Sequence, residues 1–249
     1  YRTAVDFLSG DHGQGSGDGP DVGREVCFLM AAVDADADDG IIHTALGVKA
    51  QFRENTAQLP FAGSKADSIW VSLDGVNGYH EEVRGKGTFA KLEKNIAECG
   101  HKHLSVNMVV NTLNYTAVDD TIEYAKNNPA IECISINFHT PFEGTEYLAL
   151  DMEKRAEIID RVIEYKKKGY PIMNSRSGLK LMKRNALGEI ALGKECFVTN
   201  FIYTDGSRSL CLGYGTEQCR VCGFCMAGEM ASVWHFKLDT VLAGFKLRM

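Results

Sequence analysis

Hydrophobic and polar residues are most regularly spaced between residues 68 and 175. Short apolar runs with the length and composition of buried strands alternate there with segments whose apolar residues follow the helical period. The predicted strands cover residues 68–73, 104–110, 131–138 and 170–174. Each interval between them is long enough for one crossover helix. The pattern therefore predicts a parallel sheet, either open or curled into a barrel.

The first of the intervening helices has a clear inner face and a clear end. Phe89, Leu92 and Ile96 recur at helical spacing, which predicts that they pack against the sheet. Gly100 follows the last of these turns, and glycine is the residue that most often ends a helix in a left-handed conformation. We therefore expect the helix to end at Gly100.

The next two helices are predicted by different signals. Thr116 and Asp119 have the spacing of a capping box, which predicts that Thr116 begins a helix, and Pro129 prevents that helix from continuing. A longer amphipathic helix is expected over residues 153–168, before the fourth strand.

Composition narrows the class of protein. The 249 residues are 45% hydrophobic and 24% charged, with a net charge of −6, which argues against a disordered chain and against a general nucleic-acid binder. No apolar run approaches the roughly 20 residues that span a bilayer, and no secretory leader is readable. We therefore expect a cytoplasmic protein with neither nucleic acid nor membrane as a partner.

Cysteine is the unusual component, because five of eight cysteines fall in one short window: Cys196, Cys211, Cys219, Cys222 and Cys225. Clustered thiols without an export signal favour metal over disulfides. The Thr-Asp-Gly turn at 204–206 predicts a β-hairpin that would bring the first two together. The last three form Cys-x-x-Cys-x-x-Cys, a spacing that suits an iron–sulfur cluster, while a four-thiolate zinc site remains the alternative.

A second group of polar residues follows the first clear strand. Ser72 lies at the end of this strand, and Arg84 precedes a glycine-rich helix start. Ligands of parallel α/β folds bind at the carboxyl edge of the sheet, and a guanidinium beside free backbone amides is suited to an anion. A capped turn with a surface arginine explains the same residues equally well.

The run VSLDGVNGYHEEVRGKGTFAKLEKNI, at residues 71–96, closely resembles a strand and helix of radical S-adenosylmethionine (radical SAM) enzymes. Ser-Leu-Asp-Gly, a following histidine and Arg-Gly-x-x-Thr-Phe carry the likeness. The Cys-x9-Gly-x4-Cys pattern and the later cysteines resemble an auxiliary-cluster extension of the SPASM or twitch type. With the βα rhythm, the resemblance covers about residues 60 to 230.

The first part of the chain departs from this pattern. The family builds its catalytic [4Fe–4S] cluster on a Cys-x3-Cys-x2-Cys loop, and no such triplet precedes residue 68. Ser9, Gly10 and Asp11 can be aligned with a Gly-Gly-Glu motif that holds the amino group of SAM, although two of the three residues differ. On this alignment the catalytic cluster loop is expected before Tyr1.

The resemblance implies a partial (β/α) barrel of radical SAM type that lacks its first unit, over residues 1–188, and a small cysteine-rich domain over residues 189–249. Ser72 would contact the ribose or amino-acid end of SAM and Arg84 its carboxylate. Asn111 would line the cofactor cleft, with Asn107 as the competing residue. The five clustered cysteines would supply ligands to an auxiliary [4Fe–4S] cluster.

The function implied is generation of a 5′-deoxyadenosyl radical that abstracts hydrogen from a peptide or small-molecule substrate. An electron donor such as flavodoxin or ferredoxin would be a partner. The alternative is a non-catalytic scaffold that binds zinc or an iron–sulfur cluster on a degenerate barrel.

Overall fold

Backbone and side chains are described in a computed structural model for residues 68–183 and 216–242, and the backbone alone for six further short strands and the end of the last helix. The strands are β1 Val26–Leu29, β2 Ala35–Asp36, β3 Ile41–Ile42, β4 Phe52–Asn55, β5 Ser68–Ser72, β6 Leu104–Val110, β7 Cys133–Phe138, β8 Asn200–Tyr203 and β9 Arg208–Ser209. The helices are α1 Tyr79–Arg84, α2 Thr88–Cys99, α3 Val118–Asn127, α4 Met152–Lys167, α5 Arg176–Lys183, α6 Cys225–Trp234 and α7 Leu238–Lys246.

The fold is mixed α/β and is built on a parallel sheet whose strands follow one another in chain order, β4-β5-β6-β7. A parallel bridge between Ile134 and Ile172 extends the order by one position beyond β7. Three of the four strands predicted from hydrophobic runs are confirmed, and the fourth is reduced to this bridge. The predicted parallel sheet is therefore present.

The helices α2, α3 and α4 connect these strands and pack on one face of the sheet. The hydrophobic core contains alternate strand residues, such as Val71, Val106 and Ile134, together with the inner stripes of the three helices. A crossover between parallel strands is almost always right-handed, so strands placed in chain order receive all their helices on the same face. The residues that alternate with these core positions project from the other face of the sheet.

The helix predicted from Phe89, Leu92 and Ile96 is α2, and it ends before Gly100, which has a φ of 61°. The prediction for α3 is wrong at its start. The helix begins at Val118, after a 3-10 turn at Tyr115–Ala117, and its capping position is taken by Ala117. Thr116 instead donates a hydrogen bond from its hydroxyl to Tyr79 Oη, at 3.0 Å.

Helix α4 begins where Asp151 caps it by accepting a hydrogen bond from the Lys154 amide, at 2.7 Å. Its buried side chains repeat at helical spacing: Arg155, Ile158, Ile159, Val162 and Ile163. The helix thus matches the predicted range closely, and an arginine occupies one position of its apolar stripe.

The strands β8 and β9 pair antiparallel, which confirms the predicted hairpin, and β8 also pairs with β1. A second short antiparallel pair joins β2 to β3. None of the helices in the described ranges is long and apolar enough to cross a membrane.

Candidate functional site

A cluster of buried polar side chains lies where β5 and β6 end. Ser72 is the last residue of β5 and is 1% exposed, and Asp74 follows it with no exposed surface. Between Asp74 and α1 the chain turns at Gly75, whose φ is 146° and where an added Cβ would lie 2.5 Å from the Cβ of Tyr79. Only glycine fits this turn, which brings α1 back over the strand end.

Arg84, at the end of α1, forms an ion pair with Asp74. Its Nε donates to Asp74 Oδ2 at 2.5 Å, and the two side chains are 7% and 1% exposed. The second carboxylate oxygen, Oδ1, accepts the backbone amide of Val109 at 2.9 Å. Asp74 thus ties Arg84 to both central strands, and the guanidinium has a fixed orientation at the carboxyl edge of the sheet.

His80 lies beside this ion pair and is fully buried. Its Nδ1 accepts the backbone amide of Asp74 at 3.2 Å, and Nε2 has no hydrogen-bond partner among the described residues. Desolvation by burial lowers the pKa of His80 to about 4, although the nearby Asp74 carboxylate opposes the shift. The imidazole is therefore neutral near pH 7, and because Nδ1 accepts, its proton is on Nε2.

Asn111 and Asn114 shape the turn after β6. Asn114 Oδ1 accepts the Asn111 amide at 2.8 Å, and its Nδ2 donates to the carbonyl oxygens of Asp74 and Val109. Asn111 Oδ1 accepts the Leu113 amide at 2.8 Å, and its Nδ2 donates to Val109 O at 3.4 Å. The Asn111 side chain is thus hydrogen-bonded to the backbone of its own turn. It lies next to the buried polar cluster and stabilises the turn.

The sheet face opposite the three helices carries a row of polar side chains. Strand pairing places Ser72, Asn107 and Ser135 in register, so all three project from the same face. Asn137, two residues further along β7, donates from Nδ2 to Asn107 Oδ1 at 2.5 Å. Buried parallel strands are normally apolar on both faces. On β7 this face is covered by the start of α6, where the Cys225 amide donates to Asn137 Oδ1 at 2.7 Å. The polar groups nearer β5 and β6 are suited to contact a ligand or substrate.

Three cysteines of the predicted cluster are described, and they lie in the segment that packs against the end of β7. Cys219 and Cys222 are half-buried in and after the 3-10 segment Glu217–Val221, whereas Cys225 begins α6 and is buried. Burial raises the pKa of the Cys225 thiol to about 11, and its sulfur lies 3.5 Å from Ser135 Oγ. Over residues 68–183 and 216–242, no three metal-ligating side chains converge.

Arg155 joins α4 to the cysteine segment. It is 3% exposed, and its guanidinium donates to the carbonyl oxygens of Val221, at 3.2 Å, and Cys222, at 2.5 Å. Its guanidinium carbon, Cζ, lies over the ring of Phe138, 5.0 Å from the ring centroid. Burial lowers the pKa of Arg155 to about 10, with the Cys222 sulfur opposing the shift. The side chain still carries its charge near neutral pH.

The cysteine segment is also bonded directly to the end of β7. The Phe138 amide donates to Gly223 O, and the Gly223 amide donates to Thr140 Oγ1, both at 2.8 Å. A Cβ added at Gly223 would lie 1.9 Å from Phe138 O, so no other residue can approach β7 as closely. The predicted metal loop therefore packs against the carboxyl edge of the sheet.

Five of the predicted site residues lie outside the described residues: Ser9, Gly10, Asp11, Cys196 and Cys211. Of the others, Ser72, Arg84 and Asn111 lie at one edge of the sheet, where β5 and β6 end. The sequence analysis missed Asp74, although it lies inside the Ser-Leu-Asp-Gly motif. It also missed Arg155, whose place in the apolar stripe of α4 is a readable signal of a buried cation.

These positions test whether the expected cofactors fit. The edge offers a buried arginine held in place, a buried serine, an imidazole Nε2 with no partner among the described residues, and a polar sheet face, a donor set compatible with SAM. The described thiols do not form a metal site as they lie.

No protein-family model, curated protein or solved structure matches the chain.

Proposed function

We propose that this chain belongs to a radical SAM enzyme and that SAM binds at the carboxyl edge of β5 and β6. The observation that supports this most strongly is the buried cluster of Ser72, Asp74, His80 and Arg84, held at the end of two parallel strands. Parallel α/β folds place their ligands at this edge. The same residues carry the resemblance in sequence.

The finer architecture that we propose is a partial (β/α) barrel. Strands in chain order with all crossover helices on one face are expected of a singly wound barrel, whereas an open doubly wound sheet reverses its order at a switch point. The row of Ser72, Asn107, Ser135 and Asn137 would then face the lumen. A lumen lined by serines and asparagines suits a polar substrate, such as a peptide or a small metabolite.

When bound beside a reduced catalytic [4Fe–4S] cluster, SAM supplies a 5′-deoxyadenosyl radical that abstracts hydrogen from the substrate. The residues of this chain would bind and orient the reactants. Arg84 would contact the SAM carboxylate, Asp74 would keep the guanidinium in position, and Ser72 would contact the ribose or amino-acid end. Neutral His80 adds no second positive charge to this edge.

The remaining parts of the proposal concern the substrate side and the electron supply. Asn107 would hydrogen-bond the substrate from the sheet face, where Asn137 holds its side-chain oxygen in place. An electron donor such as flavodoxin or ferredoxin would reduce the catalytic cluster. An auxiliary iron–sulfur cluster on the clustered cysteines would be detected by metal analysis. A metal-binding scaffold without activity is the alternative outcome.

The test measures SAM affinity by isothermal titration, on anaerobic protein extended upstream to include the expected cluster loop. Arg84→Lys keeps a cation beside Asp74 but cannot form a two-pronged contact with a carboxylate. Losing a charge-assisted hydrogen bond worth about 1.5–3 kcal/mol weakens binding by about 10- to 150-fold. We expect Arg84→Lys to weaken SAM binding by up to this factor. The rate of 5′-deoxyadenosine formation with dithionite as reductant should fall in parallel.

The matched control is Arg161→Lys, since Arg161 is exposed on the outside of α4, where it pairs with Asp119. It should bind SAM as the unmodified protein does. If Arg84→Lys also bound SAM normally, Arg84 would be removed from the site. If the unmodified extended protein bound no SAM, the enzymatic proposal would be wrong.

A further inference from the structure

A groove with a volume of about 530 Å³ lies between α4, α5 and the start of α7, away from the polar sheet face. Its lining includes four exposed cations: Lys167, Arg176, Lys180 and Lys237. We name it the C-terminal groove. The chain as a whole has a net charge of −6, so this concentration of positive charge is local.

Two carboxylates, Glu164 and Asp239, lie near the four cations, so the groove carries an excess of positive charge. Lys167 pairs with Glu164 on its own helix. The carboxylate of Asp239 also lines the groove, where it accepts hydrogen bonds from the Ser177 amide and hydroxyl at the start of α5 and interacts electrostatically with Arg176. Among the described residues, none forms a salt bridge with Arg176, Lys180 or Lys237. The groove is therefore electrostatically suited to carboxylates.

The groove also presents apolar surface at one end. Phe236 is 89% exposed and Leu238 is 76% exposed. Large apolar side chains that project into solvent beside a concave surface are typical of contact sites for other molecules. A ligand that fits both features must combine negative charge with an apolar side chain.

The backbone at Phe236 is unusual for such a residue. The Lys237 amide donates to Ser232 O and the Phe236 amide donates to Val233 O, both at 2.9 Å, which is the hydrogen-bond pattern of a Schellman helix end. Phe236 takes the left-handed position of this motif, with φ 55°, where glycine is the usual residue. A bulky side chain is disfavoured there, and strained positions cluster at functional sites. Its ring is thus held outward at a cost in backbone energy.

We propose that the C-terminal groove docks an acidic segment of a partner protein, whose carboxylates contact Arg176, Lys180 and Lys237 and whose apolar side chain packs on Phe236. A short acidic segment meets only the local potential of the groove. A long polyanion or an anionic membrane surface would extend over the rest of a chain that is itself acidic, beyond the reach of these cations. This inference does not depend on the proposed radical SAM activity.

The probe is a fluorescein-labelled peptide of twelve residues that alternates glutamate with leucine, and its binding to the full chain is followed by fluorescence anisotropy at low and at physiological salt. A peptide with lysine in place of glutamate is the charge control. We expect binding of the glutamate peptide alone, weakened by salt because exposed charges are screened.

Two variants test the location. Lys180→Glu/Lys237→Glu should weaken binding of the glutamate peptide by about tenfold or more, because two attractive contacts become repulsive. Lys91→Glu/Lys102→Glu changes the net charge equally at exposed positions outside the groove and should leave the affinity unchanged. Phe236→Gly should weaken binding without loss of fold, because glycine is favoured at that backbone position.

Three results would overturn the proposal. The first is no binding of the glutamate peptide at low salt, and the second is an equal loss in both double variants. The third is binding of phosphatidylserine vesicles or of a twelve-nucleotide single strand in place of the peptide, which would assign the groove to a membrane or to nucleic acid.

Discussion

The buried ion pair between Asp74 and Arg84 can be broken from either side, and the structure predicts a different result for each change. Asp74→Asn keeps an oxygen for the Val109 amide, but its amide nitrogen would face the Arg84 Nε, donor against donor. Arg84→Met keeps most of the volume of the side chain and leaves the Asp74 carboxylate buried without its cation. The second change should be the more damaging.

The magnitude follows from the burial of both partners. Removing one member of a buried pair typically costs about 3–5 kcal/mol, because the remaining charge is left uncompensated. For a domain of this size, each kcal/mol lowers Tm by about 2–4 °C. We therefore expect Arg84→Met to melt about 6–20 °C below the unmodified protein. The double variant Asp74→Asn/Arg84→Met removes both charges and should recover much of the loss.

The assay is urea and thermal unfolding of all four proteins, analysed as a double-mutant cycle. A loss below about 1 kcal/mol for Arg84→Met, the range of an exposed pair, would refute the reasoning. Strict additivity of the two single changes would refute it equally. The stability data also decide how the SAM titration is interpreted, because Arg84 is expected to act both in the fold and at the ligand.

Three further predictions concern other parts of the site. His80 has a pKa of about 4 in the folded chain against 6.5 for an ordinary histidine, so the unfolded chain binds the extra proton and stability falls as pH drops from 6.5 to 4, by up to about 3 kcal/mol. Urea midpoints should show this loss, and it should disappear in His80→Asn. Gly223→Ala should separate the cysteine segment from β7 and speed hydrogen exchange of the Phe138 amide; unchanged exchange would contradict the close approach. Cys222→Ala should remove bound iron and sulfide from anaerobic protein while Cys99→Ala retains them, and colourless protein carrying one zinc would favour the scaffold.

The spacing of hydrophobic residues predicted the helices and strands well where the local sequence determines them. Residues 104–110 form β6 as expected, and α4 differs from its predicted range by one residue at each end. The capping box failed because the turn after β6 is organised by Asn114, whose side chain reaches back to Asp74 O. A local motif at Thr116 could not reveal a partner 40 residues earlier in the chain.

The positions of two proposed site residues were predictable from the sequence, but their contacts were not. Ser72 and Arg84 were expected at the carboxyl edge, and they lie there. Arg84 was expected to pair with the carboxylate of SAM, whereas in the structure it pairs with Asp74 of the same motif. Arg155 shows the same limit, since its position in an apolar stripe is readable while its acceptors lie 66 and 67 residues away.

That separation has a consequence for synthesis of the chain. At about 5–20 residues per second, the carbonyls of Val221 and Cys222 follow Arg155 out of the ribosome after roughly 3–13 s. Until then neither carbonyl acceptor is present. Burying the Arg155 guanidinium would therefore cost its hydration free energy with no hydrogen bond in return. We therefore expect an interval during synthesis in which α4 cannot pack fully against the sheet, because the charge of Arg155 has no acceptor. A chaperone that binds exposed apolar stripes would act in this interval, and arrest of translation between these positions should lengthen it.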